Sequence, residues 1–291
     1  MWELDIRFNH ESLYFRSSMN RSFALIMSSL LLVLSGPTTF SQKFVWGVKA
    51  GSTWSMNSFI DQDDKDEFSS KSKAGFFGSG LINLPLKKNY SIQTEIGFSQ
   101  RGRKVYFNHD TSAHIAIYNY LDASIIARKS FPVQWGEHIP GNWFINAGPR
   151  ISHWLNGRGR VSGGEPFDYD VVFGPLSEVP LIKPDEMYLK ETNRWLVGFD
   201  IGLGIDAPIR KNQDVVIELR YSYGFIQYGN KNSAYTSQPG FRDSLKAREQ
   251  IISLSIGYTI EHDIKEARKG KSTKEKRKKS KPRKEIDSLL H

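Results

Sequence analysis

The chain has no cysteine, which excludes a disulfide framework, a thiolate zinc site, a Cys nucleophile and a lipid anchor on a mature N-terminal Cys. Beyond its first 42 residues it has no long apolar run, which excludes a helical membrane protein. It also carries little net charge where a fold would be built. Of the formal +9, residues 264–291 hold twelve Lys/Arg against four Asp/Glu, residues 1–42 balance at three of each, and residues 43–263 are close to neutral. What is plentiful is glycine, at 24 residues, and aromatic side chains, at 13% of 291 residues; that composition favours strands and turns over helices.

Met19–Gln42 has the anatomy of a signal peptide. Arg21 supplies the positive start, Phe23–Leu34 the apolar stretch, and Ser35-Gly36-Pro37 a break before a polar segment with cleavage expected near Ser41 or Gln42. The apolar stretch is 12 residues long, short of the roughly 20 a transmembrane helix needs. Residues 1–18 lie upstream, carry mixed charges, and are read as a non-native or misassigned extension.

The body shows a period of two. Ile252, Leu254, Ile256, Tyr258 and Ile260 share one face, with Ser253, Ser255, Gly257 and Thr259 on the other. Val215–Phe225 and Trp195–Ile205 repeat the design, and weaker versions run over Phe44–Trp54, Lys73–Leu84, Tyr90–Gln100, His114–Arg128 and Asn142–Leu155. These eight segments are longer than the usual strand of about 5 or 6 residues and match the roughly 9 to 11 of a membrane-spanning one. The links Pro85–Asn89, Ser130–Gly141 and Pro208–Asn212 are shorter. Ser55–Ser72, Gly102–Ala113, Asn156–Asn193 and Gln227–Ala247 are mostly longer and polar, as at the two rims of a transmembrane barrel.

Trp46, Trp54, Phe98, Trp143, Trp195, Tyr221, Tyr223, Phe225 and Tyr258 fall on the apolar face, several near strand ends, where girdles form. A soluble barrel gives the same alternation with the faces exchanged; the signal, the strand length and the loop asymmetry favour the membrane version. The expectation is an all-β, eight-stranded antiparallel up-and-down transmembrane barrel over residues 43–262 in the cell outer membrane. An even strand count places both termini in the periplasm, and residues 263–291 form a basic, disordered periplasmic tail.

Several stretches resemble the PorT-like outer-membrane β-barrel proteins of the Bacteroidetes. They are Val45–Gly51, Ser91–Gly102, Tyr120–Arg128, Ala147-Gly148-Pro149, Gly198–Gly204, Arg220–Gly224 and Ser253–Tyr258. The resemblance spans about residues 43–262 and implies a small closed barrel; the family takes its name from a component linked to type IX secretion. The segment Asn156–Asn193 and the basic tail depart from its pattern, so the fold is carried over and the secretion role is not.

No catalytic site is expected. A hydrolase would need a hydroxyl nucleophile beside a His. Ser152 and His153 are neighbours in a strand and so face opposite ways. His109 and Thr111 share a loop with no acid fixed by spacing, and His262 lies at a rim. Asp61, Asp63, Asp64, Asp66 and Glu67 lack the glycine and terminal Glu of a calcium loop and are read as solvated. The glycines of Gly157–Gly164 and Gly202-Leu203-Gly204 match no phosphate-binding loop and are read as loop and strand residues. Neither a cofactor nor a metal is implied.

The polar faces place Lys49, Glu95, Asp122, Arg150, Asp200, Glu218 and Arg220 inside the barrel, a near-balanced set expected to pair into a side-chain plug. The tail carries Lys265, Arg268, Lys269, Lys271, Lys274, Lys276, Arg277, Lys278, Lys279, Lys281, Arg283 and Lys284. It has no aromatics to stack bases, and export argues against nucleic acid. The partners expected are outer-membrane lipid and, through the tail, an anionic periplasmic group. The function expected is a non-enzymatic structural or adaptor protein; the alternatives are a component of a type IX secretion or gliding assembly, a lipid-modifying barrel enzyme and a narrow channel.

Overall fold

The computed structural model describes residues 43–108, 113–135, 139–162, 166–173, 185–235 and 244–263. The upstream extension, the signal peptide and the tail from Ile264 onward lie outside these residues. In chain order the elements are β1 (Lys43–Phe59), α1 (Gln62–Glu67), β2 (Phe68–Lys71), β3 (Lys73–Pro85), β4 (Tyr90–Phe107), β5 (Ala113–Trp135), β6 (Ile139–Ser162), β7 (Phe167–Val172), β8 (Glu186–Thr192), β9 (Trp195–Arg210), β10 (Gln213–Gly224), β11 (Gly229–Tyr235) and β12 (Ala247–Asp263).

Eight of these strands close a ring in which every neighbour is antiparallel, in the order β1-β3-β4-β5-β6-β9-β10-β12 and back to β1. The seam between first and last strand is unbroken from Lys43↔Asp263 to Phe59↔Ala247. Closure leaves no free backbone edge to face hydrocarbon, which is why a ring of strands is stable there. Two tight turns mark one rim. Lys88 and Asn89 have φ of 61° and 64°, and Asn212 has φ of 68°, the left-handed conformation that reverses a hairpin in two residues and that Asn tolerates better than most. Lys43 and Asp263 lie at this same short-turn rim.

The ring has the eight strands expected from the sequence, and among the described residues four further strands form a second tier. β5 and β6 run 23 and 24 residues, far more than a bilayer needs. Most of the residues expected in the links Gly102–Ala113 and Ser130–Gly141 are strand, the described residues of Gly157–Gly164 belong to β6 rather than to a loop, and β12 ends at Asp263. Along β4 the polarity inverts. Ser91, Gln93, Glu95, Ser99, Arg101 and Arg103 point inward and are followed by Val105; Ile92, Ile96 and Phe98 point outward and are followed by Gln100, Lys104 and Tyr106. The lower tier is apolar outside, to suit lipid. The upper tier is apolar inside, to suit water.

The upper tier recruits the four additional strands. β2 pairs with the end of β4, while β6 forks: Asn142–His153 pair with β9, and Arg158–Val161 pair with β7. β7 pairs in parallel with β8, and β8 pairs antiparallel with β11. Tyr228 and Gly229 then donate backbone N–H groups to Ala247 and Leu245, returning the tier to β12. Its core packs Phe59, Phe68, Tyr118, Tyr120, Trp154, Met187, Tyr228 and Leu245. The Tyr118 and Trp154 rings are 4.4 Å apart and those of Trp154 and Tyr228 5.8 Å. Each large apolar side chain so buried contributes roughly 1.5–3 kcal/mol.

Candidate functional site: the charged lumen

An eight-stranded ring is only wide enough for its own side chains. Here those side chains are ionic. Near the short-turn rim Arg128 of β5 pairs with Asp206 of β9 and lies 3.6 Å over the Phe144 ring. Above it Lys49 of β1 bridges Glu95 of β4 at 2.7 Å and Glu218 of β10 at 3.0 Å. Arg220 clamps Glu95 with two N–H groups, at 2.8 and 2.9 Å, and donates through Nε to Glu218 at 2.8 Å. Glu218 also accepts from Asn146, and Glu95 from Gln93.

The chain of charges continues upward. Asp200 of β9 lies 3.5 Å from Arg220 and 3.2 Å from Arg150 of β6. Arg150 is 3.9 Å from both Asp122 of β5 and Glu249 of β12. Arg101 of β4 closes the ladder, at 2.5 Å from Asp122 and 2.7 Å from Glu249, with its guanidinium 4.3 Å over the Tyr120 ring. Arg103, one step further, donates to the Ser244 carbonyl and faces the Phe59 and Tyr228 rings. Lys49, Glu95, Asp122, Arg150, Asp200, Glu218 and Arg220 all lie in this one network. Arg101 and Glu249 join it without having been singled out in the sequence, and Arg128 with Asp206 adds a pair below.

Glycines of β9 make room for it. A Cβ on Gly202 would come within 2.5 Å of Asn146 Oδ1 and 3.0 Å of Glu218 Oε1, and one on Gly198 within 3.2 Å of Arg150. Between Arg101, Asp122, Arg150, Asp200 and Arg220 a cavity of about 60 Å³ remains. Arg101 Nε, Arg150 Nε and Asp200 Oδ1 are buried there without a protein hydrogen bond, although Arg150 and Asp200 are in ionic contact. Its size and polarity suit one or two water molecules.

The other sequence candidates stand apart. Ser152 points inward and accepts from Arg101 and Arg150, while His153 lies outside against Trp195, with ring centroids 4.3 Å apart. They therefore form no dyad. His262 is exposed beside Phe44, and His109 and Thr111 lie outside the described residues. Asp61 accepts from Lys246 at 2.7 Å and Asp64 from Ser244 at 2.5 Å, which ties the α1 segment to the chain entering β12. The hydrogen bond that Lys246 donates to Asp61 raises the Lys246 pKa, and in the upper tier the hydrogen bond from Arg160 lowers that of Asp168. Among the described residues no cluster of three or more His, Asp or Glu has metal-binding geometry.

Residues 40–228 match the family model described as the outer membrane protein beta-barrel domain. No curated protein matches the chain in sequence. Among solved structures it is similar to neisserial surface protein A, at 15% identity, 76% of this chain, 97% of that one and a TM-score of 0.35. It is also similar to OprG of Pseudomonas aeruginosa, at 7% identity, 77% of this chain, 98% of that one and a TM-score of 0.43. A third is outer membrane protein W of E. coli, at 12% identity, 76% of this chain, 99% of that one and a TM-score of 0.33.

Proposed function

The chain belongs to the outer membrane protein beta-barrel domain family, and from that membership we propose that it is a closed, non-enzymatic barrel with a structural or adaptor role. Its place is the outer membrane. The carrying observation is the lumen: the charge ladder fills the lower tier and the aromatic core lies directly above it. Such a barrel works through its surfaces. The upper tier is the extracellular face, and the basic tail leaves β12 on the periplasmic side, where it docks on an anionic group.

The test is a planar bilayer holding the purified full-length protein. No steady conductance is expected, and reproducible channel steps would show that the lumen is open. Truncation after Asp263 should leave a folded barrel but release a partner that co-purifies at low salt and is lost at high salt. One more specific reading, which the PorT-like resemblance by itself does not carry, is an adaptor in a type IX secretion or gliding assembly. Failure to co-purify with any envelope complex would remove that role and leave the closed barrel standing.

A further inference from the structure

On the outer wall Ala127 of β5 and Ala147 of β6 are paired in register and leave an apolar groove of about 650 Å³. Ile145, Ile201, Leu203, Leu219 and Tyr221 flank it. At its short-turn end stand Tyr90 and Lys129, themselves paired across β4 and β5. The Lys129 ammonium lies 4.9 Å from the Tyr90 ring centroid and 5.3 Å from that of Phe131, whose ring stacks on Trp143 at 4.2 Å. Aromatic clusters of this kind sit at the boundary between hydrocarbon and headgroups. Lys129 forms no ion pair with a carboxylate among the described residues, and Lys87 and Lys88 add positive charge in the adjoining turn.

We propose that this groove binds one anionic glycerophospholipid from the leaflet on the short-turn side. Lys129 holds the phosphate, and an acyl chain lies over Ala127 and Ala147. Position selects the ligand: hydrocarbon along the wall and the Lys129 cation in the groove at headgroup depth match a lipid whose negative charge has no built-in counter-charge. A zwitterionic lipid offers the same chains, yet its own cation competes with Lys129 for the phosphate. One Lys near a membrane surface supports a preference of about fivefold.

The experiment is native mass spectrometry of the full chain in detergent, titrated with palmitoyl-oleoyl phosphatidylglycerol or with phosphatidylcholine of the same chains. The wild type should retain one phosphatidylglycerol about fivefold more strongly than phosphatidylcholine. Lys129→Gln should bring the two lipids level, Lys129→Arg should restore the preference, and Ala147→Phe should weaken both by filling the groove. Lys104→Gln, a charge loss in the upper tier, should change nothing, and slower or faster migration on unboiled gels identifies the folded variants. The proposal is overturned if the wild type shows no preference, or if folded Lys129→Gln or folded Ala147→Phe binds phosphatidylglycerol as the wild type does. Channel conductance plays no part in these readouts, so the closed-barrel reading stands or falls separately.

Discussion

Arg101 Nη1 lies 2.7 Å from the Glu249 carboxylate, although 148 residues separate the two in the chain. One comes from β4 and the other from β12, with β3 and β1 between them in the wall. The contact sits just below the aromatic core, so it joins two halves of the ring at the level where ionic filling gives way to apolar packing. Glu249→Ala leaves Arg101 with Asp122 alone, and breaking a buried pair in this way costs about 3 kcal/mol. Urea unfolding followed by tryptophan fluorescence should show that loss, while Glu249→Leu combined with Arg101→Met should lose less than the two single losses added together.

Arg220 touches three acids of the ladder, Glu95, Glu218 and Asp200, all within 3.5 Å. Arg220→Ala leaves these acids with Lys49 and Arg150, and the expected loss is about 3–5 kcal/mol. Because the group is shielded from solvent, 0.5 M salt should leave that loss nearly unchanged. A loss below 1 kcal/mol, or one that salt abolishes, would contradict a buried ladder.

Glycine positions separate the crowded inner face from the open outer one. Gly202→Val pushes a side chain into Asn146 and Glu218, an overpacking expected to cost about 1–3 kcal/mol. Gly80 faces outward, where an added Cβ would meet nothing within 4 Å, and Gly80→Ala should be neutral or stabilising by a few tenths of a kcal/mol up to about 1. Thermal scans of the two variants side by side decide the matter; equal midpoints would mean that Gly202 is not making room.

Trp154→Ala removes the largest fully buried side chain of the upper tier. The expected cost is about 3–5 kcal/mol, felt in that tier because Trp154 packs on Tyr118, Phe173 and Tyr228 and lies outside the ladder. Limited proteolysis should then cut in the upper tier, in β7, β8 and β11, while the ring strands stay protected in micelles. Simultaneous loss of both tiers would show that they unfold as one unit.

The ring strands and the inward charges are legible in the sequence because period two survives wherever one face meets lipid. Lys49, Glu95 and Glu218 can be placed from parity alone. Arg101 and Glu249 escape because the alternating residues set out from the sequence stop at Gln100 in one strand and open at Ile252 in the other, short of each; carrying the same parity outward finds both. Asp206 lies one residue past Ile205 in the same way, and Arg128 shares the parity of Asp122 within its own segment. The upper tier is not legible. Tyr118, Tyr120 and Trp154 continue the inward parity of their strands but are apolar, so a rule that equates apolar with outward assigns them to the wrong face or ends the strand before them.

The seam between β1 and β12 also fixes an order of events in time. The first strand finds its final neighbour only when the last one, some 200 residues later, has been delivered, with Lys43 opposite Asp263 and Phe59 opposite Ala247. Until then each carries one unpaired edge, and the ring stays open. Pairing over such separations is slow. Completion is therefore an act of the whole polypeptide, and a chain shortened within β12 is left as an open sheet with a free edge on β1.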